Sequence, residues 1–132
     1  MKIVFFLFVL SVFSFAQFIG INPTTLQKKI DENVVVIDIR TPPEWIETGI
    51  VPSSKTLMFF DQNGNYDVDQ WLQKFKSYVK DKNQSFVLVC RSGNRTGMVG
   101  NFLSKKLGYK NVFHLENGIK SWIREQRPTI KN

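Results

Sequence analysis

Phe86-Val87-Leu88-Val89-Cys90-Arg91-Ser92-Gly93-Asn94-Arg95-Thr96 joins a short, unbroken apolar run to a polar, glycine-bearing turn. Consecutive apolar residues without alternation read as a strand buried on both faces, the kind found in parallel sheets. From about Thr96 the period changes: Val99, Phe102, Leu103 and Leu107 fall on one helical face, Gly97 and Gly100 permit close packing, and Gly108 ends the helix. Strand, loop and helix therefore follow one another across Cys90, which sits at the carboxyl end of the strand. In open parallel sheets that end is where ligands bind.

The same alternation extends in both directions. Upstream, Asn22 can cap a helix over about Pro23 to Asp31, with Pro23 in its first turn and Leu26 and Ile30 on one face. Val34-Val35-Val36-Ile37 is a second buried strand, ending at Asp38-Ile39-Arg40 before the breaker Thr41-Pro42-Pro43. Glu44 to Ser54 reads as connector, closed by Gly49 and Pro52, and leads to a short strand around Thr56 to Phe59. Asp61 to Asn65 is a polar turn, and Val68, Trp71, Leu72, Phe75 and Val79 mark one helical face. Downstream, Val112-Phe113-His114-Leu115 is a further strand, and Gly118 to Gln126 a last helix with Ile119, Trp122 and Ile123 inward. Strands alternating with helices predict an α/β fold with a mainly parallel central sheet and helices on both faces.

A chain of 132 residues, 42% hydrophobic and 14% aromatic, can build a single core, and no repeat, low-complexity tract or linker divides it. One domain is expected over residues 17–132, with its core over about 22–128. Residues 1–16 are set apart: Met1-Lys2 precedes an apolar run from Ile3 to Phe15, and Ser14-Phe15-Ala16 places small residues where a signal peptidase reads. They read as a signal peptide, with Gln17 as the new amino terminus. That implies an exported protein, periplasmic in a Gram-negative bacterium. The competing reading is an uncleaved anchor, since Phe18, Ile19 and Ile21 prolong the apolar stretch towards the roughly 20 residues that span a bilayer; membrane association is expected only then. No cysteine follows the run to accept a lipid.

The formal charge is +7, and loss of residues 1–16 would remove only Lys2. Such a surplus attracts anions. It does not indicate nucleic acid, because Lys28, Lys55, Lys74, Lys80, Lys105, Lys110 and Lys131 are scattered and form no basic run with interleaved aromatics.

Cys90 is the only cysteine, so no internal disulfide forms, and in an oxidising compartment a leftover thiol is either paired between chains or free and reactive. A strand end, a short loop with Gly93 and a helix start converge backbone N–H groups on its sulfur. That environment favours an anion and should lower the thiol from its ordinary value of about 8.5. Arg91 and Arg95 add positive charge, and Ser92, Asn94 and Thr96 can donate further hydrogen bonds or cap the helix. The plainer alternative is an ordinary strand-to-helix turn with solvated arginines around an inert cysteine.

Cys90 to Thr96, CRSGNRT in one-letter code, resembles the active-site loop of rhodanese-domain proteins. The likeness runs from about Asn22 to Pro128. Asp38-Ile39-Arg40 is similar to the family's Asp-x-Arg, and Glu44-Trp45-Ile46-Glu47-Thr48-Gly49 to its acidic-aromatic-to-glycine segment. Leu107 to Val112 and Leu115 to Trp122 look like its closing helix, strand and helix. The family usually has Gly-His-Ile-Pro-Gly-Ala where this chain has Gly49-Ile50-Val51-Pro52-Ser53-Ser54, and paired glycines where it has Asn117-Gly118. The resemblance implies a rhodanese-type sulfurtransferase without cofactor. In it the Cys90 thiolate takes sulfane sulfur from a small anionic donor such as thiosulfate or a persulfide, becomes a persulfide, and passes the sulfur to a thiol, cyanide or a protein acceptor. Arg91 and Arg95 would bind or steer the donor. By the same analogy Asp38 and Arg40 support the loop, a surface ion pair being the alternative.

A sulfur carrier serving one dedicated partner would need the same loop. Rhodanese-fold phosphatases and arsenate reductases are the enzymatic rivals. The phosphatases of this kind place five residues between cysteine and arginine, whereas Arg91 to Asn94 are four, and no second cysteine is present for a reductase. A phosphatase also needs an acid for its leaving group, which the sequence does not assign. His114, the only histidine, reads as a packed core residue, Glu44 and Glu47 as solvated or packing residues, and Met98 as core filler. One histidine and one cysteine make no metal-ligand cluster.

Overall fold

The computed structural model describes residues 2–5, 7 and 16–132. The signal peptide read over residues 1–16, with Ser14 and Phe15 of its cleavage site, lies largely outside the described residues. Five strands, β1 (Gln17–Ile21), β2 (Val35–Asp38), β3 (Lys55–Thr56), β4 (Phe86–Val89) and β5 (Asn111–Leu115), form one sheet in the order β1-β5-β4-β2-β3. Every neighbouring pair is parallel. Around the sheet lie α1 (Pro23–Asp31), α2 (Pro42–Thr48), α3 (Val68–Tyr78), α4 (Asn94–Asn101) and α5 (Gly118–Arg124), with Phe102–Lys106 extending α4 as a π-helical turn.

Alternation along the strands feeds two cores. Ile37, Phe86, Leu88 and Val112 pack with Trp71 and Phe75 of α3, Val99 of α4, and Leu103. On the other face Val36, Val87, Val89 and Leu115 pack with Leu26 of α1 and with Ile119 and Trp122 of α5. All four residues of β4 are buried, because this strand lies at the centre with helices above and below. Phe75 anchors the first core, its ring 4.9 Å from Trp71 and 5.0 Å from Phe86. A fully buried side chain of this size contributes about 2–3 kcal/mol. Among the described residues no helix is long and apolar enough to cross a membrane.

Several elements differ from the sequence reading. Gln17–Ile21, given no element in the sequence reading and counted with the apolar run only under the anchor alternative, is an edge strand paired with β5 from Gln17↔Asn111 to Ile21↔Leu115. The Thr41-Pro42-Pro43 breaker instead opens α2, since proline has the φ of a first helical turn and no N–H is needed there. The segment from Glu44, read as connector, is therefore helical to Thr48. The third strand is shorter and earlier than Thr56 to Phe59. α4 begins at Asn94, two residues before Thr96, because Gly93 takes φ 101° and turns the chain directly into the helix. Met98, at 58% exposure, and Ile123, at 42%, face solvent instead of filling the core.

Candidate active site

β4 delivers Cys90 to the carboxyl edge of the sheet at its centre, and α4 starts four residues later. The short link forces the chain to wrap around the sulfur. Gly93 N–H donates to Cys90 Sγ at 3.2 Å, Thr96 N–H at 3.5 Å, and the Thr96 hydroxyl lies 3.4 Å from it. Two N–H donors, from the loop backbone and the helix N-terminus, and a hydroxyl able to donate or accept thus meet at one atom, an arrangement that can stabilise negative charge there. Cys90 itself is 1% exposed. Ser92, Asn94 and Arg91 are exposed at the rim, and none of their side chains takes part in the hydrogen bonds to sulfur.

The loop is held from below by the start of α5. Ile119 N–H donates to Cys90 O at 2.8 Å and Lys120 N–H to Arg91 O at 3.2 Å. Two glycines make this approach possible. A Cβ on Gly93, at φ 101°, would collide with the Glu116 carbonyl, and one on Gly118, at φ 66°, would collide with the Arg91 carbonyl and Ser92 nitrogen. Gly118 is thus part of the site, although its place beside the loop shows only in three dimensions.

Arg95 and Glu44 are brought together. The guanidinium donates to both carboxylate oxygens, at 2.7 and 2.8 Å, tying α4 to α2. The Arg95 hydrogen bond is the main cause that holds the Glu44 carboxyl down to about 2, against an opposing push from burial and helped by the Thr41 hydroxyl. Glu44 is therefore a partner of the loop rather than a solvated residue. The Arg95 guanidinium in turn holds its proton more tightly than usual, chiefly through that hydrogen bond.

Asp38 and Arg40 lie deeper. They form a buried pair at 2.8 Å, with side chains 0% and 1% exposed, which removes the surface-pair alternative. Arg40 also donates to Thr48 Oγ1 at 2.9 Å and to Gly49 O at 3.0 Å, while Trp45 Nε1–H donates to Asp38 Oδ1 at 3.1 Å. Every one of these contacts fixes α2 or its end. The pair does not touch the Cys90 loop; its contacts are with α2 and its end, and α2 meets the loop through Glu44 and Arg95.

His114 is half-buried on β5, its Nδ1 2.7 Å from Thr96 Oγ1. It is satisfied, as a core histidine should be, yet its partner is the hydroxyl that faces the sulfur. Among the described residues no group of three or more His, Cys, Asp or Glu is arranged to hold a metal ion.

A parallel sheet with helices on both faces, presenting a single cysteine to backbone N–H donors at its carboxyl edge, defines an α/β protein with a cysteine-bearing loop between strand and helix. Residues 22–125 match the rhodanese-like domain model, and the chain belongs to that family. It is 31% identical to "Putative sulfurtransferase YtwF" of Bacillus subtilis, over 82% of this chain and 93% of that protein. The crystal structure of a rhodanese-related protein from Thermoplasma volcanium superposes with a TM-score of 0.62 at 27% identity, covering 86% of this chain and 98% of that one. The polysulfide-sulfur transferase of Wolinella succinogenes shares the fold, with a TM-score of 0.65 at 20% identity over 87% of this chain and 80% of that one.

Proposed function

We propose that the protein is a sulfurtransferase in which Cys90 carries sulfane sulfur as a persulfide. The observation that carries this reading is the pair of N–H donors on Sγ from Gly93 and Thr96, with the Thr96 hydroxyl in reach of the same atom. The attacking group is a thiolate and the product a persulfide, both anions on or next to this sulfur, and the same donors serve both. With thiosulfate as donor, the thiolate forms a bond to the sulfane sulfur as the bond to the sulfite sulfur breaks, and sulfite leaves with the electron pair. An acceptor thiolate then attacks the outer sulfur and returns Cys90 as thiolate. A recess of about 60 Å³ beside the loop is lined by Arg40, Arg91 and Lys120 but also by Glu44 and Glu47, so Arg91, on the loop itself, is the cation placed to meet the donor's negative charge. Arg95 is less suited to that task, because Glu44 occupies both of its prongs.

The same pair speaks against a phosphatase. A leaving group needs a protonated acid, and Glu44, the carboxyl in contact with the loop, is held at about 2.

The protein is further proposed to be exported; support comes from β1 opening at Gln17, so that cleavage after Ala16 leaves the whole sheet.

The deciding experiment is incubation of the mature protein with thiosulfate or polysulfide, followed by intact mass. Gain of one sulfur atom, absent in Cys90→Ser, is the expected result. No gain together with cleavage of an aryl phosphate would overturn the reading. Sulfur uptake that is fast from a protein persulfide and slow from thiosulfate would identify the carrier.

A further inference from the structure

His114 is the chain's single histidine, and β5 carries it beneath the Cys90 loop. Its Nδ1 lies 2.7 Å from Thr96 Oγ1, and that oxygen lies 3.4 Å from Cys90 Sγ. Sulfur, hydroxyl and imidazole form a continuous line with Thr96 in the middle. Thr96 is 0% exposed, and the Phe18 ring covers the imidazole at 4.7 Å between centroids.

The Thr96 hydroxyl has one proton and three neighbours able to accept it: His114 Nδ1, the Gly93 carbonyl at 3.2 Å and the sulfur. Which one takes it depends on the state of the two ends. With a thiol and a neutral imidazole, S–H donates to Oγ1 and the hydroxyl donates to Nδ1. With the proton moved, Nδ1–H donates to Oγ1 and the hydroxyl donates to the thiolate. Passage between the two needs one hop at each bond. The S–H bond breaks as a new O–H bond forms, and the old O–H bond breaks as N–H forms. Sulfur loses a proton, nitrogen gains one, and the hydroxyl is unchanged, so no co-reactant is required.

We infer that His114, acting through Thr96, accepts the proton that leaves Cys90, so that sulfur and imidazole share one proton. In catalysis this rests on the sulfurtransferase reading: the imidazolium is the counter-charge of the thiolate and then of the persulfide, until the acceptor removes the sulfur. His114 touches neither donor nor sulfur and is a positioning residue. Burial lowers its proton affinity below that of an ordinary histidine, with the Glu116 charge opposing, so the imidazole is neutral when it accepts, and the imidazolium is held against that burial by the thiolate whose proton it has taken. The groups that face it are Glu116 beyond the end of its own strand, Cys90 and Thr96 from the loop and α4, and the apolar Phe18 of β1 and Leu88 of β4.

One histidine and one cysteine allow both ends to be read without ambiguity. The imidazole C–H resonances of His114 are followed by NMR across about pH 5 to 9, in wild type and in Cys90→Ala. Alkylation of Cys90 by iodoacetamide, read as intact mass, is followed over the same range in wild type, His114→Gln, Thr96→Val and Thr96→Ser. Reciprocal coupling requires that His114 titrate differently once the thiol is gone. It also requires that His114→Gln and Thr96→Val slow alkylation at neutral pH by on the order of five- to tenfold, with a changed pH profile, while Thr96→Ser, which keeps the hydroxyl, recovers most of the loss. Identical His114 titration with and without the thiol, or a wild-type pH profile in His114→Gln, would overturn the inference. Should His114→Gln fail to fold, the Thr96 pair and the Cys90→Ala titration decide it. Alkylation consumes no sulfur donor, so the relay can fail while sulfur transfer stands, or hold while sulfur transfer is absent.

Discussion

The Arg95 guanidinium grips both oxygens of the Glu44 carboxylate, at 2.7 and 2.8 Å, and this is how the start of α4 is fastened to α2. The two residues lie 51 positions apart in the chain. Their pairing turns what reads as a substrate-facing arginine into a strut of the cysteine loop.

That strut makes stability depend on pH. Glu44 titrates at about 2 in the folded protein against an ordinary 4.5, so the unfolded chain binds its proton more readily. Its contribution is complete above about pH 4.5 and is lost as pH falls towards 2. The pair is partly exposed, at 24% and 20%, and solvent screening reduces its worth to about 1–2 kcal/mol. Urea unfolding of Glu44→Gln is expected to show that deficit at neutral pH and to show it shrink towards zero at pH 2. A deficit that stayed constant over this range would mean that packing, not charge, is what the substitution removes.

The Asp38–Arg40 pair is a different case, because both side chains are buried. Asp38→Asn leaves the Arg40 charge uncompensated and is expected to cost about 3–5 kcal/mol. Replacing the two together by Leu and Met should recover much of that loss, which a double-mutant cycle measures. Because Arg40 also holds Thr48 and Gly49, faster hydrogen exchange is expected at the end of α2 in Asp38→Asn before any at β4.

Why some of this was legible in sequence and some not follows from the range of the interactions. The strand-loop-helix around Cys90 declares itself in contiguous residues: Val89 ends the strand, Gly93 bends, and Val99 begins a helical face. The alternation of strands and helices predicts the doubly covered parallel sheet for the same reason. What escaped is set by contacts between distant segments. β1 merges in sequence with the apolar run before it and becomes a strand only by lying against β5. Glu44 gains its role from Arg95, and Gly118 from the Arg91 carbonyl. α2 was legible in principle, since Pro42-Pro43 after Thr41 suits a helix start as well as a break.

Gly118 and Gly97 offer a matched contrast. Gly118 combines φ 66° with the backbone of Arg91 and Ser92 at its face, whereas Gly97 has open space in the middle of α4. Gly118→Ala is expected to destabilise by about 1–3 kcal/mol, through strain and displacement of the loop. It should also reduce sulfur uptake at Cys90 more than tenfold, on the order expected when positioned donors are lost. Gly97→Ala should instead stabilise by roughly 0.5–1 kcal/mol, as alanine does inside a helix. Thermal unfolding with intact-mass analysis of both variants checks the two signs.

The last prediction concerns β1, whose Phe18 ring covers both Gly100 of α4 and the His114 imidazole. Gly100 has no room for a Cβ beneath that ring, so the strand and the helix are fitted to each other. Phe18→Ala empties this contact and is expected to cost about 1–3 kcal/mol, less than the loss at a fully buried phenylalanine because the ring is half-buried. A chain that begins at Asn22 instead of Gln17 goes further, since it strips β5 of its neighbour and leaves a row of unpaired backbone groups along that edge. Exposed parallel edges pair with other copies. The shortened chain is therefore expected to associate in a concentration-dependent manner on size-exclusion chromatography, while the chain from Gln17 keeps one elution volume. Equal behaviour of the two would mean that the domain closes without β1.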